Sequence, residues 1–136
     1  MNNGRFAIAI HILTLLRLSK EALLSSEYIA SSININPVLV RKEIAELKKT
    51  GLVNSREGKN GGCFLAKDAS KIDLAVIFKS IYKDSVFSFA KNEPNPNCPV
   101  GKQINKRLNK VYANAEIALL QELKNKTLED FCKEFE

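Results

Sequence analysis

The sequence has 136 residues, which predicts one domain, with or without a dimerising extension, because a single core usually serves about 100 to 200 residues. With 45% hydrophobic and 26% charged residues, the composition is that of an ordinary folded protein, and a disordered chain is not expected. Lys and Arg number 21 against 15 Asp and Glu, a formal net charge of +6. This excess is compatible with an anionic partner such as nucleic acid or a membrane surface.

Four further features narrow the class of protein. The longest apolar run, at residues 6–13, is interrupted by His11 and is far shorter than the roughly 20 residues that span a bilayer, so no membrane segment is expected. The N-terminus shows no signal-peptide pattern, which predicts a cytoplasmic protein. Three widely spaced cysteines, Cys63, Cys98 and Cys132, suit a reducing compartment. Because His11 is the only histidine, a Cys–His nucleophile or a multi-His zinc site lacks its residues, and no enzyme is expected.

Three helices are predicted in the first half of the chain. Apolar residues at helical spacing, without Gly or Pro, predict the first helix over residues 5–18. A second helix begins at Ser25 or Ser26, whose hydroxyl can cap its first turn. Asn36 then acts as the N-cap of a third helix and Pro37 as its first residue, because the first helical position needs no backbone N–H donor.

The third helix is amphipathic and ends near residue 50. Val40, Ile44 and Leu47 recur at spacings of four and three, so we expect them to face a core. Arg41 and Lys42 lie outside this stripe, near the N-terminus of the helix, where recognition helices read bases. Together the second and third helices have the size of a helix-turn-helix, about 26 residues. An ordinary helix with a solvated basic face explains this segment equally well.

A β-hairpin is predicted directly after the third helix. Residues 52–56 and 63–66 are strand candidates, and the segment between them is a Gly-rich turn. Arg56 and Lys59 supply positive charge at its tip. Gly61 and Gly62 are expected to let the backbone approach a phosphate or enter a minor groove without obstruction by a Cβ. Joined to the helices, the hairpin makes a winged helix-turn-helix, which favours DNA binding over a purely structural hairpin.

The second half of the chain is predicted to supply a dimer contact. A short helix follows Asp73, a polar loop occupies residues 84–97, and a long helix covers residues 99–124. At about 25 residues and roughly 37 Å, the long helix exceeds what this domain needs to cover its own core. We therefore predict a DNA-binding domain over residues 1–66 and a helical dimerisation and possible sensor region over residues 67–136. The alternative is a monomer whose long helix folds back.

These segments together resemble a known family. The run Ser26-Glu27-Tyr28-Ile29-Ala30, the segment 37–42, Gly51-Leu52-Val53 and the wing glycines, with later matches at 72–74, 98–101 and 127–130, are similar to the Rrf2 family of bacterial transcription regulators. The resemblance covers essentially the whole chain. It implies a mainly α-helical protein with a small β-hairpin wing and a long C-terminal dimerisation helix, which binds palindromic operators as a homodimer. The candidate DNA-binding residues are Ser26, Tyr28, Pro37, Val38, Arg41, Lys42, Arg56, Lys59, Gly61 and Gly62.

The sequence departs from the family pattern in two places. Glu57 and Lys59 stand where family wings often carry a second basic residue and a Pro. The resemblance implies that an Arg at position 57 would read a minor groove, and Glu57 weakens that implication. Family members that bind an iron–sulfur cluster place three cysteines close together in the loop before the long helix, whereas here that loop holds only Cys98. We therefore expect no iron–sulfur cluster of that kind, no other cofactor and no metal site, as in the cluster-free branch of the family.

Cys98 is a candidate redox thiol. Because Pro99 is expected to begin the long helix, Cys98 falls at its N-cap, where free N–H groups and the helix dipole favour a thiolate. Lys102 adds a positive charge about one turn further on. The alternative is a small buried cap without reactivity. Cys63 and Cys132 are expected to be packing residues.

The sequence thus predicts a sequence-specific DNA-binding regulator, a cytoplasmic repressor that binds a double-stranded operator as a homodimer, with oxidation of Cys98 as a hypothesis for its control. Residues 1–66 hold nine Lys and Arg against five Asp and Glu, so most of the positive excess lies in the proposed DNA-binding half. The alternative is an interaction protein that regulates through a partner enzyme without strong DNA binding of its own.

Overall fold

The computed structural model describes residues 4–136, so residues 1–3 of the predicted DNA-binding domain lie outside the described residues. The described part is mainly helical, with one two-stranded antiparallel sheet. Its helices and strands are α1 (Arg5–Leu18), α2 (Ser26–Ile33), α3 (Pro37–Lys49), β1 (Val53–Arg56), β2 (Gly62–Leu65), α4 (Leu74–Ile81), α5 (Pro99–Lys124) and α6 (Leu128–Cys132). Short 3₁₀ turns occupy Ala69–Lys71 and Lys133–Phe135. The predicted fold class is confirmed.

Local hydrogen bonds explain where the two helices of the helix-turn-helix begin and end. Ser25, rather than Ser26, caps α2, because its hydroxyl accepts a hydrogen bond from the backbone N–H of Tyr28 at 3.1 Å. Asn34 ends α2 in the left-handed conformation, with φ of 67°, which asparagine tolerates better than most residues. The Asn36 side chain then accepts from the N–H of Val38 at 2.8 Å and starts α3. The turn between α2 and α3 is therefore encoded locally.

The wing is tied to the segment that precedes α2. Strands β1 and β2 pair from Val53 opposite Leu65 to Arg56 opposite Gly62. Leu24 and Cys63 also exchange two backbone hydrogen bonds, of 3.1 and 2.8 Å, so this segment adds an isolated bridge to β2. The pairing holds the hairpin against the start of the helix-turn-helix and fixes the direction in which the wing projects.

One hydrophobic core draws on both halves of the chain. Ile12 of α1 and Leu47 of α3 are fully buried in the same cluster as Ile77 of α4 and Leu128 of α6. The backbone N–H of Leu128 donates to the carbonyl of Ile72 at 2.7 Å, which joins the C-terminal segment to the residues before α4. Residues after 66 thus complete the core. The division at residue 66 into a DNA-binding and a dimerisation region remains a prediction about the functions of the two halves.

An ion pair also joins α6 to α1. Glu129 of α6 accepts two hydrogen bonds from the guanidinium of Arg17, at 2.7 and 2.8 Å. Because the guanidinium of Arg17 donates to it, the Glu129 carboxyl has a pKa below its ordinary value. Thr127 and Asp130 form a full capping box at the start of α6. Helix α6 is therefore held in place at both its polar and its apolar surfaces.

Helix α5 contrasts with the other elements. None of its 26 residues is buried, and Val100, Val111 and Ile117 are 68%, 58% and 55% exposed. Its contacts within the chain are mainly with α4. No helix among residues 4–136 is long and apolar enough to cross a membrane.

The loop before α5 folds back onto that helix. The rings of Phe87 and Phe89 pack against Tyr112, with centroid distances of 5.1 and 5.3 Å. The backbone N–H of Val86 donates to a carboxylate oxygen of Glu116 at 2.8 Å. These contacts place residues 86–89 on one side of α5, so the polar loop has a defined position.

Candidate DNA-binding surface

A groove of about 550 Å³ lies between the N-terminus of α2, the outer face of α3 and the wing. It contains more than half of the residues that the sequence predicted for DNA binding. Those residues are Ser26, Arg41, Arg56, Lys59, Gly61 and Gly62. The tertiary structure therefore brings Arg41 of α3 and the basic residues of the wing, which are separated along the chain, to one surface.

The outer face of α3 carries the base-reading candidates. Val38, Arg41 and Lys48 are exposed, and their spacings of three and seven place them on one face of the helix. Val40 and Leu47 are fully buried on the opposite face. The burial predicted from the spacing of four and three is thus observed, and it directs the charged stripe away from the core.

Two polar contacts set the positions of the cations in this groove. Arg41 forms an ion pair of 3.6 Å with Glu27 of α2, and both side chains are more than half exposed. The ammonium of Lys48 donates to the hydroxyl of Ser55 in β1 at 2.7 Å, which links α3 to the wing. Because a solvent-exposed ion pair contributes at most about 1 kcal/mol, Arg41 can exchange Glu27 for a phosphate or a base at little cost.

Neighbouring backbone atoms of this protein require glycine at positions 61 and 62 of the wing. A Cβ on Gly62, whose φ is +150°, would lie 2.7 Å from the carbonyl oxygen of Leu24, and a Cβ on Gly61 would collide with the carbonyl of Arg56. From the sequence, we expected these glycines to allow the approach of a phosphate. Their close contacts with backbone show that the hairpin and its bridge to Leu24 already demand them.

Four predicted residues lie outside this groove. Tyr28 and Val38 are 55% and 59% exposed at the starts of α2 and α3, and Pro37 occupies the first position of α3. Lys42 instead lines a separate groove with residues of α1 and α4, so the structure does not bring it together with Arg41. Lys48 was missed as a site residue, although its spacing of seven from Arg41 could have identified it.

The three cysteines differ in exposure and acidity. Cys98 is half-buried at the N-cap of α5. The backbone N–H groups of Gly101 and Val100 face its sulfur and lower the pKa of the thiol. Cys63 and Cys132 are buried in β2 and α6, and burial raises the pKa of each thiol. Cys98 alone of the three combines access to solvent with a lowered pKa.

A helix-turn-helix with a basic outer face, followed by a hairpin that lines the same groove, defines a winged-helix protein of the kind that binds DNA. The family model of the Rrf2 proteins, described as iron-dependent transcriptional regulators, matches residues 2–134, and the chain belongs to this family. It is 40% identical over 130 residues to YwnA of Bacillus subtilis (strain 168), a proposed HTH-type transcriptional regulator, with 96% of each chain covered.

Other relatives agree with this assignment. NsrR of Oceanobacillus iheyensis, an HTH-type transcriptional regulator, is 30% identical over 128 residues, which cover 94% of this chain and 85% of the relative. A crystal structure of a protein proposed to bind DNA superposes with a TM-score of 0.75 at 37% identity, covering 93% and 97% of the two chains. CymR, the global cysteine regulator of B. subtilis, shares the fold, with a TM-score of 0.72 at 19% identity and coverage of 98% and 96%. The chain is a DNA-binding transcriptional regulator, as the sequence predicted.

The family description names iron, and the donor set of this chain can be tested against it. The cysteines lie on three separate elements, and Cys63 and Cys132 are buried in the core cluster. Among residues 4–136, no three His, Cys, Asp or Glu side chains are grouped in a way that could hold a metal ion. The described residues therefore do not fit a cluster held by several cysteines of one chain.

Proposed function

We propose that this protein is a cytoplasmic repressor that binds a palindromic double-stranded operator as a homodimer, without a metal, a cofactor or a catalytic activity. The observation that carries the proposal is the groove that joins Arg41 and Lys48 of α3 to Arg56 and Lys59 of the wing. In a winged helix-turn-helix, such a helix enters the major groove while cations of the wing contact the adjacent backbone.

Helix α5 supports the dimer. None of its residues is buried, and apolar side chains such as Val100 and Val111 face solvent in one chain. Packing two copies of α5 against each other would bury these side chains and relate two winged helices by a two-fold axis. Two recognition helices arranged in this way fit half-sites about 34 Å apart, one turn of DNA, and therefore a palindrome.

The test is binding to duplex DNA at increasing salt, with the region upstream of the protein's own gene as the first probe and genomic footprinting to locate further sites. We expect affinity to fall by orders of magnitude between about 50 and 200 mM salt, because several phosphate contacts release counterions. Lys48→Ala should reduce the slope, and Lys133→Ala, an exposed lysine near the C-terminus, should leave it unchanged. A flat salt response would contradict the proposal and favour an interaction protein that acts through a partner enzyme.

We further propose that oxidation of Cys98 modulates DNA binding. The Cys98 thiolate would attack hydrogen peroxide, forming a sulfenic acid as the O–O bond breaks and hydroxide leaves. The lowered pKa at the N-cap of α5 favours the attacking thiolate. Because α5 is also the proposed dimer helix, a change at its first turn could be transmitted to the spacing of the two DNA-binding domains.

The redox proposal is tested by a gel shift with and without peroxide. The wild type should change its DNA affinity on oxidation, Cys98→Ser should not respond, and Cys63→Ser, which removes a buried thiol, should respond like the wild type. An equal response of Cys98→Ser and wild type would contradict the role of Cys98 while leaving DNA binding itself untouched.

A further inference from the structure

Helix α3 carries apolar side chains along the centre of its outer face. Val38, its second residue, is 59% exposed, and Ala45 is exposed seven residues further on. Because successive residues of an α-helix are about 100° apart, both lie nearly opposite Leu47, which is fully buried in the core. The two side chains therefore point directly away from the protein, and we call Val38 and Ala45 the central strip.

Two rows of cations flank the central strip. Arg41 and Lys48 lie on the side nearer the wing, where they line the groove proposed for DNA. Lys42 and Lys49 lie on the other side, and all four side chains are exposed. Each row repeats at a spacing of seven residues, as the central strip does, so the strip and the two rows run side by side for about two turns of the helix.

The flanking cations match the walls of a major groove. An α-helix with its side chains is about 10 to 12 Å across, and the major groove is about 12 Å wide. A helix lying in that groove places cations on its two sides near the phosphates of both strands. Arg41 contacts Glu27 at 3.6 Å and Lys49 contacts Glu46 at 3.3 Å, but exposed ion pairs contribute little to stability and can be exchanged. The central strip then faces the edges of the bases.

The chemistry of the central strip selects one group on the base edges. Neither Val38 nor Ala45 has a side chain that donates or accepts a hydrogen bond. The apolar group that base edges present in the major groove is the 5-methyl of thymine. Val38 is the better placed of the two, because recognition helices read bases from their N-terminal turns. Its backbone N–H is held by the side chain of Asn36 at 2.8 Å, which fixes this first turn.

We propose that Val38 contacts the 5-methyl group of a thymine in the major groove and thereby selects an A·T pair at one position of each half-site. The inference rests on the proposed function, since it states what the recognition helix reads. It adds a specificity-determining residue that works by apolar contact, beside cations that bind phosphates or base acceptors.

The first test removes the methyl group from the DNA and leaves the protein unchanged. A pool of duplexes with a randomised core is enriched for binding to the full chain. Each thymine of the enriched sequence is then replaced singly by uracil, which keeps the base pair and lacks only the 5-methyl group, and fluorescence anisotropy measures the Kd. At one position of a half-site, we expect uracil to raise the Kd about three- to fourfold, the loss of one buried methyl contact, and about tenfold when both half-sites are changed.

Variants then assign the methyl contact to a residue. Val38→Ala should bind the thymine and the uracil duplex equally, because it lacks the side chain that meets the methyl group. Leu39→Ala, which removes a neighbouring side chain that is 49% exposed but lines a groove beside α1, should keep the preference of the wild type for thymine. Thermal denaturation checks that each variant folds, and Val38→Gln, with the same expected result, replaces Val38→Ala if that variant does not fold.

The outcomes separate this inference from the proposed function. An enriched sequence in which no thymine is sensitive to uracil would overturn the role of Val38 and leave sequence-specific DNA binding intact. The same conclusion follows if Val38→Ala keeps the preference of the wild type for thymine. Failure of the wild type to enrich any sequence would contradict the proposed function itself, and this inference with it.

Discussion

Helices α3 and α5 are both amphipathic, but the chain uses them in opposite ways. Helix α3 buries the apolar stripe of Val40, Ile44 and Leu47 in the core and leaves its basic face outside. Helix α5 is twice as long and buries no residue. A similar apolar pattern is therefore buried within the chain in α3 and remains unburied in α5, because a small core can cover only part of a long helix.

The largest expected effect comes from breaking the buried side of α3. Leu47→Ala removes a fully buried side chain and should lower the free energy of unfolding by about 2 to 5 kcal/mol, because it leaves a cavity in the core. Urea denaturation measures this change. Lys49→Ala, at an exposed position of the same helix, is the control, and a similar loss in both variants would show that the two faces of α3 do not differ as described.

The matching change in α5 should act on assembly. Val111→Asp places a charge on a side chain that is 58% exposed in the single chain, so the fold of that chain should survive. If two copies of α5 pack together, the buried charge should weaken the dimer by at least about tenfold. Analytical ultracentrifugation over a range of concentrations measures this. Asn114→Asp, at another exposed position of α5, provides the charge-matched control, and an unchanged dimer in Val111→Asp would place the dimer contact elsewhere.

A smaller effect is expected on the outer face of α3. Arg41→Ala should reduce specific DNA affinity by about 1 to 3 kcal/mol if the guanidinium contacts a base. Fluorescence anisotropy with an operator and with an unrelated duplex separates specific from general binding. Loss of thermal stability without loss of DNA affinity would show that Arg41 stabilises the fold rather than contacts DNA.

The smallest effect concerns the contact that returns α6 to α1. Arg17 holds the pKa of Glu129 below its ordinary value of 4.5, so the folded state binds this proton less readily than the unfolded state. The stabilisation is therefore complete above pH 4.5 and is lost as the pH falls through the lowered pKa. In thermal melts, Glu129→Gln should show a shallower loss of stability with acid than the wild type. Identical acid profiles would contradict a role for this ion pair.

Local signals in the sequence predicted most of the elements. The bounds of α1 and α5 agree with the predicted residues 5–18 and 99–124, because apolar spacing and Pro99 act over a few residues. The strands β1 and β2 lie within about one residue of the predicted ranges. The error arises because strand ends depend on cross-strand pairing, which the bridge of Leu24 to Cys63 helps to fix.

The arrangement of the candidate DNA-binding site was harder to predict from the sequence than the helices and strands. Spacing identified Arg41, but it did not show that Lys42, its neighbour, lines another groove with Glu43. It did not reveal that Lys48 meets Ser55 of the wing. Adjacent residues on a helix point about 100° apart, so their surroundings depend on which elements pack on each side.

By itself, the sequence determined the order and type of the elements, the buried stripe of α3 and the family, because caps, periodicity and motif residues act locally or are read directly. Only the tertiary structure decided that α4 and α6 complete the core with α1, that Gly62 is required by the backbone of Leu24, and that Lys42 lines a different groove from Arg41. These features depend on contacts between residues far apart in the chain, which local propensity and spacing do not specify.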